Sequence, residues 1–143
     1  MRFEFLTEKD AEKILRFEKK SDYKDGYSEK VLRASLNREN GYYLALSEDD
    51  LSAIISFTVS EDFADIEEVL VSPSERKKGY AFSLINKAVE IIKEKGAKKI
   101  FLEVRRSNLP AINLYIKAGF SKISERKKYY QDGEDALIFI KEI

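Results

Sequence analysis

Val71–Ala81 reads VSPSERKKGYA and stands between two different hydrophobic periods. Before it, Ile66–Val71 is a short apolar run of strand length. After it, Leu84, Ile85, Ala88 and Ile92 recur at helical spacing, with Gly96 as the stop. The stretch is therefore a strand, a basic turn carrying Arg76, Lys77, Lys78 and Gly79, and a helix from Gly79 to Lys95. Backbone N–H groups at such a helix start favour an anion, helped by the helix dipole, and a di- or triphosphate is the natural guest. An ordinary strand-to-helix turn with a solvated charge run is the competing reading. The chain has no G-x-x-x-x-G-K-[ST] and no G-x-G-x-x-G after its first strand, which argues against a P-loop or a dinucleotide fold.

Composition narrows the chemistry. At 143 residues the chain is one domain able to bury a single core. It has 26 basic and 26 acidic side chains, so no global charge draws it to nucleic acid. There is no apolar run of membrane-spanning length and no secretory signal pattern, so a cytoplasmic protein is the expectation. Cysteine and histidine are both absent. That removes disulfides, thiolate nucleophiles, Cys–zinc sites and any Ser-His-Asp triad. Acid–base work falls to Glu, Asp, Tyr, Lys, a terminal group or water.

The rest of the chain reads as βααβββαβαββ. Thr7–Asp10 resembles a capping box, opening a helix with Ala11, Ile14, Leu15 and Glu18. Ser28 caps a second helix whose inner face is Val31, Leu32, Ser35 and Leu36. Tyr42–Ser47 and Leu51–Val59 form a hairpin, Glu61–Asp65 is a turn, and Lys99–Arg105 is the strand after the long helix. Asn108 and Pro110 open a short helix that Gly119 closes; residues 120–128 and Ala136–Glu142 are the last strands. The strand–helix–strand over 66–105 favours a parallel pair, and the hairpins favour antiparallel neighbours.

A second constellation lies in LEVRRSNLPAINLYIKAGF, Leu102–Phe120. Asn108, Ala111 and Tyr115 share one helix face, and Glu103 ends a strand pointing the same way. A carboxylate and a phenol close together serve as base and acid for an acyl transfer. Alternatively, Glu103 is a solvated residue or a partner of Arg105 or Lys99, and Tyr115 is a packed ring with a wet hydroxyl. Lys98-Lys99 and Arg105-Arg106 read as a solvated basic face.

R-x-x-G-x-A, here Arg76, Gly79 and Ala81, resembles the acetyl-CoA loop of the GCN5-related N-acetyltransferases (GNAT). V-x-x-x-N-x-x-A-x-x-x-Y-x-x-x-G-F, here Val104, Asn108, Ala111, Tyr115, Gly119 and Phe120, resembles the second half of that family's signature. Tyr129, Tyr130, Glu134, Asp135 and Ala136 resemble the tail of its RimI type, which acetylates a ribosomal-protein N-terminus. The resemblance implies a GNAT-type mixed α/β fold: a mostly antiparallel twisted sheet with a locally parallel central pair and helices on both faces. It implies acetyl-CoA as co-substrate and no metal. Glu103 stands where such enzymes place their base, and Tyr115 would protonate the CoA thiolate. Backbone groups of Val69, Leu70 and Val71 would hold the pantetheine arm, and Asn108 would bond its amides. Lys77, Lys78, Gly79, Tyr80, Ala81 and Phe82 would surround the pyrophosphate, with Arg76 touching it or bracing the loop. Tyr27, Glu68, Tyr129 and Tyr130 would line the acceptor groove. The acceptor implied is a protein N-terminus, possibly of a ribosomal protein. No membrane and no direct nucleic-acid contact is required, and a monomer or weak dimer suffices.

Three alternatives stay open. Glu67 or Glu68 is the base, and strand alternation would let only one of them reach the site. The acceptor is a small amine such as a polyamine or an aminoglycoside. Or the domain binds CoA without catalysis. The F-P-W-S-like segment usual between the first two helices of RimI proteins is here Asp25-Gly26-Tyr27-Ser28, without Pro or Trp.

Overall fold

A computed structural model describes residues 1–143. The elements are β1 (Arg2–Phe5), α1 (Ala11–Lys20), α2 (Glu29–Leu36), β2 (Gly41–Ser47), β3 (Leu51–Val59), β4 (Phe63–Val71), α3 (Tyr80–Glu94), β5 (Lys99–Arg105), α4 (Leu109–Lys117), β6 (Ser121–Arg126) and β7 (Ala136–Glu142). One seven-stranded sheet has the order β1-β2-β3-β4-β5-β7-β6. Only β4–β5 is parallel; the other neighbours are antiparallel. No helix is long and apolar enough to cross a membrane.

Both sheet faces are covered, which explains why β2 and β3 read as near-continuous apolar runs. On one face Leu84, Ile85, Ala88 and Ile92 of α3 meet Leu44, Ile55, Phe57, Ile100 and Leu102. On the other, Ile14 and Phe17 of α1 and Leu32 of α2 meet Tyr43, Ala45, Ile54 and Leu70. Each fully buried Leu, Ile or Phe among them contributes about 1.5–3 kcal/mol relative to exposure.

Several boundaries differ from the expected ones, and each has a local cause. β4 begins at Phe63 rather than Ile66, because Phe63, Ala64 and Asp65 already pair with Lys99, Ile100 and Phe101 of β5. Val31 is not on the inner face of α2; it is exposed, and α2 docks through Leu32 and through Ser35, whose hydroxyl meets that of Tyr43 at 3.0 Å. β6 stops at Arg126, since Lys128 takes a positive φ and Tyr129 and Tyr130 leave the strand.

One irregularity shapes the site. Ser56 of β3 pairs with Glu68 while Phe57 pairs with Ile66, so Glu67 is an extra residue in β4. This is a β-bulge, and it reverses the alternation downstream. Ala64 and Ile66 join the α3-side core, yet Leu70 joins the α1-side core while Val69 and Val71 pack against the α3 side. The ladder between β4 and β5 also ends at the bulge, at Ile66 with Leu102. Beyond it the two parallel strands part.

Candidate active site

The parting of β4 and β5 opens a cleft of about 590 Å³. Leu102 and Val104 are buried in the α3-side core, so Glu103 between them faces the cleft. Its carboxylate is a third exposed and lies 4.0 Å from Arg126 Nε. The expected partners Arg105 and Lys99 are not its partners. Tyr129 sits against the same carboxylate, and that hydrogen bond, with burial, raises its phenol pKa.

Tyr115 reaches the cleft from α4 with its ring buried edge-on to Phe120 at 6.0 Å. Burial pushes its phenol well above the ordinary range, so it holds its proton at neutral pH and is a donor. Asn108 caps α4 by accepting from Ala111 N–H at 3.2 Å, which leaves its amide N–H groups for the cleft that it also lines. Val69 lines the cleft; Leu70 turns its side chain into the α1-side core. From Val69 to Val71, β4 pairs with β3 along one edge and has no β5 partner along the other.

The Arg76–Phe82 loop is not part of the cleft wall; it forms the start of α3, beyond the end of β4. Lys77 and Gly79 both have positive φ, which turns successive amides inward. A side chain at Gly79 would meet nothing within 4 Å, so the concavity in front of α3 is open. No side chain caps α3 and its first turn holds no acidic residue. Free amides and basic neighbours are what a pyrophosphate requires. Arg76 braces the loop, donating from Nε to Val71 O at 3.4 Å, while Lys78 pairs with Glu75 at 2.8 Å. Phe82 lies under Lys117 of α4, its ring centre 4.7 Å from the ammonium.

The far side of the cleft overturns the expected basic face at Arg105-Arg106. The Arg105 guanidinium binds both oxygens of Asp25 at 2.8 and 2.9 Å, and Asp132 and Glu134 at 2.8 Å each. It also stacks on Tyr130 at 4.0 Å. Arg106 pairs with Glu125 and Asp135. Arg105 thus ties the α1–α2 loop, β5 and the β6–β7 loop together. Glu134 also accepts from Ser107 N–H at 2.7 Å, and these bonds hold its carboxyl down at about 2. Tyr129 and Tyr130 do not divide into core and surface; they meet edge-to-face at 5.1 Å and both line the cleft, as Tyr27 does.

Glu67 and Glu68 do not face opposite ways: the bulge sends both to the α1 side, and both line the cleft. Glu67 holds Arg38 through two bonds of 2.8 and 3.0 Å. Glu68 is buried beside Glu18 of α1, and burial first, then Glu18, raises its carboxyl pKa well above the usual range. Asp25, Arg105, Arg126, Glu18 and Tyr23 all belong to this region, and no sequence signal picked them out as site residues, because each acts across a long separation.

The sequence model of the acetyltransferase (GNAT) family matches residues 8–120. A Bacillus subtilis (strain 168) protein provisionally named as a ribosomal protein bS18-alanine N-acetyltransferase is 41% identical over 104 residues, 70% of this chain and 69% of its own. The ribosomal protein bS18-alanine N-acetyltransferase of Haemophilus ducreyi is 34% identical, over 72% of this chain and 76% of its own. The crystal structure of the ribosomal-protein-S18-alanine N-acetyltransferase from Escherichia coli superposes with a TM-score of 0.90 at 27% identity, covering 99% of this chain and 93% of that one. The family's reaction uses acetyl-CoA, and the split-strand sheet described above is its fold. The chain belongs to the GNAT acetyltransferase family and is an N-acetyltransferase.

Proposed function

We propose that the protein transfers acetyl from acetyl-CoA to the α-amine of a peptide N-terminus, of the kind a ribosomal protein beginning with alanine presents. The observation that carries this reading is a single cleft lined by a partly exposed carboxylate, Glu103, and a buried phenol held neutral, Tyr115. The names borne by the bacterial relatives point the same way.

In this reading the pyrophosphate of CoA lies against the amides from Lys77 to Phe82, and the pantetheine arm follows the open edge of β4 at Val69–Val71 toward Asn108. That route ends where β4 and β5 part. The acceptor enters from the opposite side, past Tyr27, Tyr129 and Tyr130. An α-ammonium has a pKa of roughly 7.7–8.0, so near neutrality most of it must lose a proton before it can attack. Glu103 takes that proton, directly or through one water. The amine nitrogen then bonds to the thioester carbon, a backbone amide of β4 steadies the oxyanion, and the C–S bond breaks. Tyr115 gives its proton to the departing thiolate, and the second proton of the new amide nitrogen leaves through water, which restores the phenol.

A small polyamine or aminoglycoside is the second reading. It draws support from the charge of the walls, where Asp25, Asp65, Glu67, Glu68 and Glu103 outnumber Arg105 and Arg126, with Arg38 held on Glu67. Turnover of acetyl-CoA with peptides beginning in Ala, Ser or Met, their N-blocked forms, spermidine and an aminoglycoside separates the two. The proposal expects the free Ala-starting peptide to lead; activity on spermidine or the aminoglycoside alone would overturn it.

A further inference from the structure

Beneath the α1–α2 loop, a recess of about 50 Å³ opens beside the cleft; Tyr23, Asp25, Tyr27, Glu67 and Glu68 line both. Its inner wall is Glu18 of α1, with Tyr43 and Ser56. Glu18 and Glu68 are both over nine-tenths buried. Glu68 Oε2 is fully buried and receives no hydrogen bond from any donor of the protein. The other carboxylates here are committed: Glu67 to Arg38 and Asp25 to Arg105, each through two bonds. Glu68 thus lies buried beside a second carboxyl, and no cation of the protein reaches it.

We propose that this recess is a subsite for an alkylammonium group, filled by a lysine side chain within the first few residues of the acceptor peptide. The assignment rests on the peptide reading above. Charge selects a cation, and the aromatic walls Tyr23, Tyr27 and Tyr43 suit the methylene stem and the ammonium face. The recess is small, about 50 Å³, which suits a slender alkylammonium head group. Gly26 keeps the roof low, since a Cβ there would lie 3.0 Å from Glu18 Oε1.

Binding is an exchange in which no covalent bond changes. The ammonium enters, and the proton held by Glu68 leaves to solvent. The groups facing the pair are Glu67 of β4 with its partner Arg38, Tyr43 of β2, and Tyr23, Asp25 and Tyr27 of the loop, with Asp25 held by Arg105. Tyr115 of α4 lies near Tyr23 in the cleft and does not line the recess. The raised pKa of Glu68, caused first by burial and then by Glu18, agrees with a proton held until a cation replaces it.

The test compares peptides starting with Ala that carry Lys or norleucine at position 2, 3 or 4. At one position Lys should raise kcat/KM over norleucine by roughly 10–100-fold, the range of one bond to a charged group. Calorimetry at neutral pH in phosphate and in Tris should show a proton released with the Lys peptide and none with norleucine. Glu18→Gln, which keeps size and removes charge, should abolish the preference and the proton release; Gly26→Ala, which narrows the recess, should weaken both. Equal rates for Lys and norleucine at every position, or a preference intact in Glu18→Gln, would overturn the subsite. If no peptide is acetylated, the peptide reading fails separately. Binding of n-butylammonium with proton release, lost in Glu18→Gln, would then still support the recess, and no such binding would end it.

Discussion

The loop before α3 and the cleft walls formed by residues 23–27 and 129–135, the two ends of the proposed site, are assembled differently. The loop is made of neighbours in sequence. Two left-handed residues, Lys77 and Gly79, and the uncapped first turn of α3 define its shape through backbone geometry. The opposite walls are made of side chains far apart in the chain, joined through Arg105 to Asp25, 80 residues away, and to Asp132 and Glu134. A backbone cradle suits a ligand that never changes. A wall held by charged side chains can be retuned without touching the cradle, which is what an acceptor specificity requires.

If the two ends are separable, mutations should divide cleanly between them. Gly79→Glu should have the largest effect. It places a β-carbon on a left-handed backbone and a negative charge before α3, and CoA binding by calorimetry should disappear while the fold persists by circular dichroism. Undiminished CoA binding would break the comparison at its cofactor end. Tyr115→Phe keeps the ring packed on Phe120 and removes the donor. It should lower kcat by roughly 10²–10⁴-fold with CoA affinity nearly unchanged. Normal kcat would reduce Tyr115 to packing. Arg105→Met should leave CoA affinity intact and lower kcat/KM for the peptide by roughly 10–100-fold, as the released loops misplace the acceptor. An equal loss of CoA affinity would mean that the ends are coupled.

The smallest effect sharpens the account of the β6–β7 loop. Glu134 titrates at about 2 in the folded protein, below the ordinary carboxylate value. A carboxyl depressed by folding contributes stability above its unfolded pKa, and that contribution is lost as pH falls through the folded one. The Tm difference between wild type and Glu134→Gln should therefore be constant at neutral pH and shrink between about pH 4.5 and pH 2. A difference that stays constant through that window would remove Glu134 from the network.

Sequence reading recovered what is local. The element order, the capping by Ser28 and Asn108, the alternation of β5 and the turn between β4 and α3 each follow from residues within a turn or a strand of one another. It misread β4, because period-2 alternation assumes a continuous ladder and nothing in IEEVLV announces an extra residue. The bulge is set by pairing with β3, and it brings Glu67 and Glu68 to one face. Arg105 was misread for a related reason. An RR pair at a strand end looks solvated unless its partners are known, and all of them come from loops distant in sequence. The buried Glu18 reads as one more polar residue of an amphipathic helix until Glu68 is seen against it.

The proposed proton path through Glu103 is tested most directly by kcat/KM against pH for wild type and Glu103→Gln on a peptide beginning with alanine. The variant should be most depressed near neutrality and should recover in part as pH rises through roughly 8, where the α-amine arrives already neutral. Profiles of the same shape for both proteins would contradict the account and move the base to the Glu67–Glu68 bulge or to water.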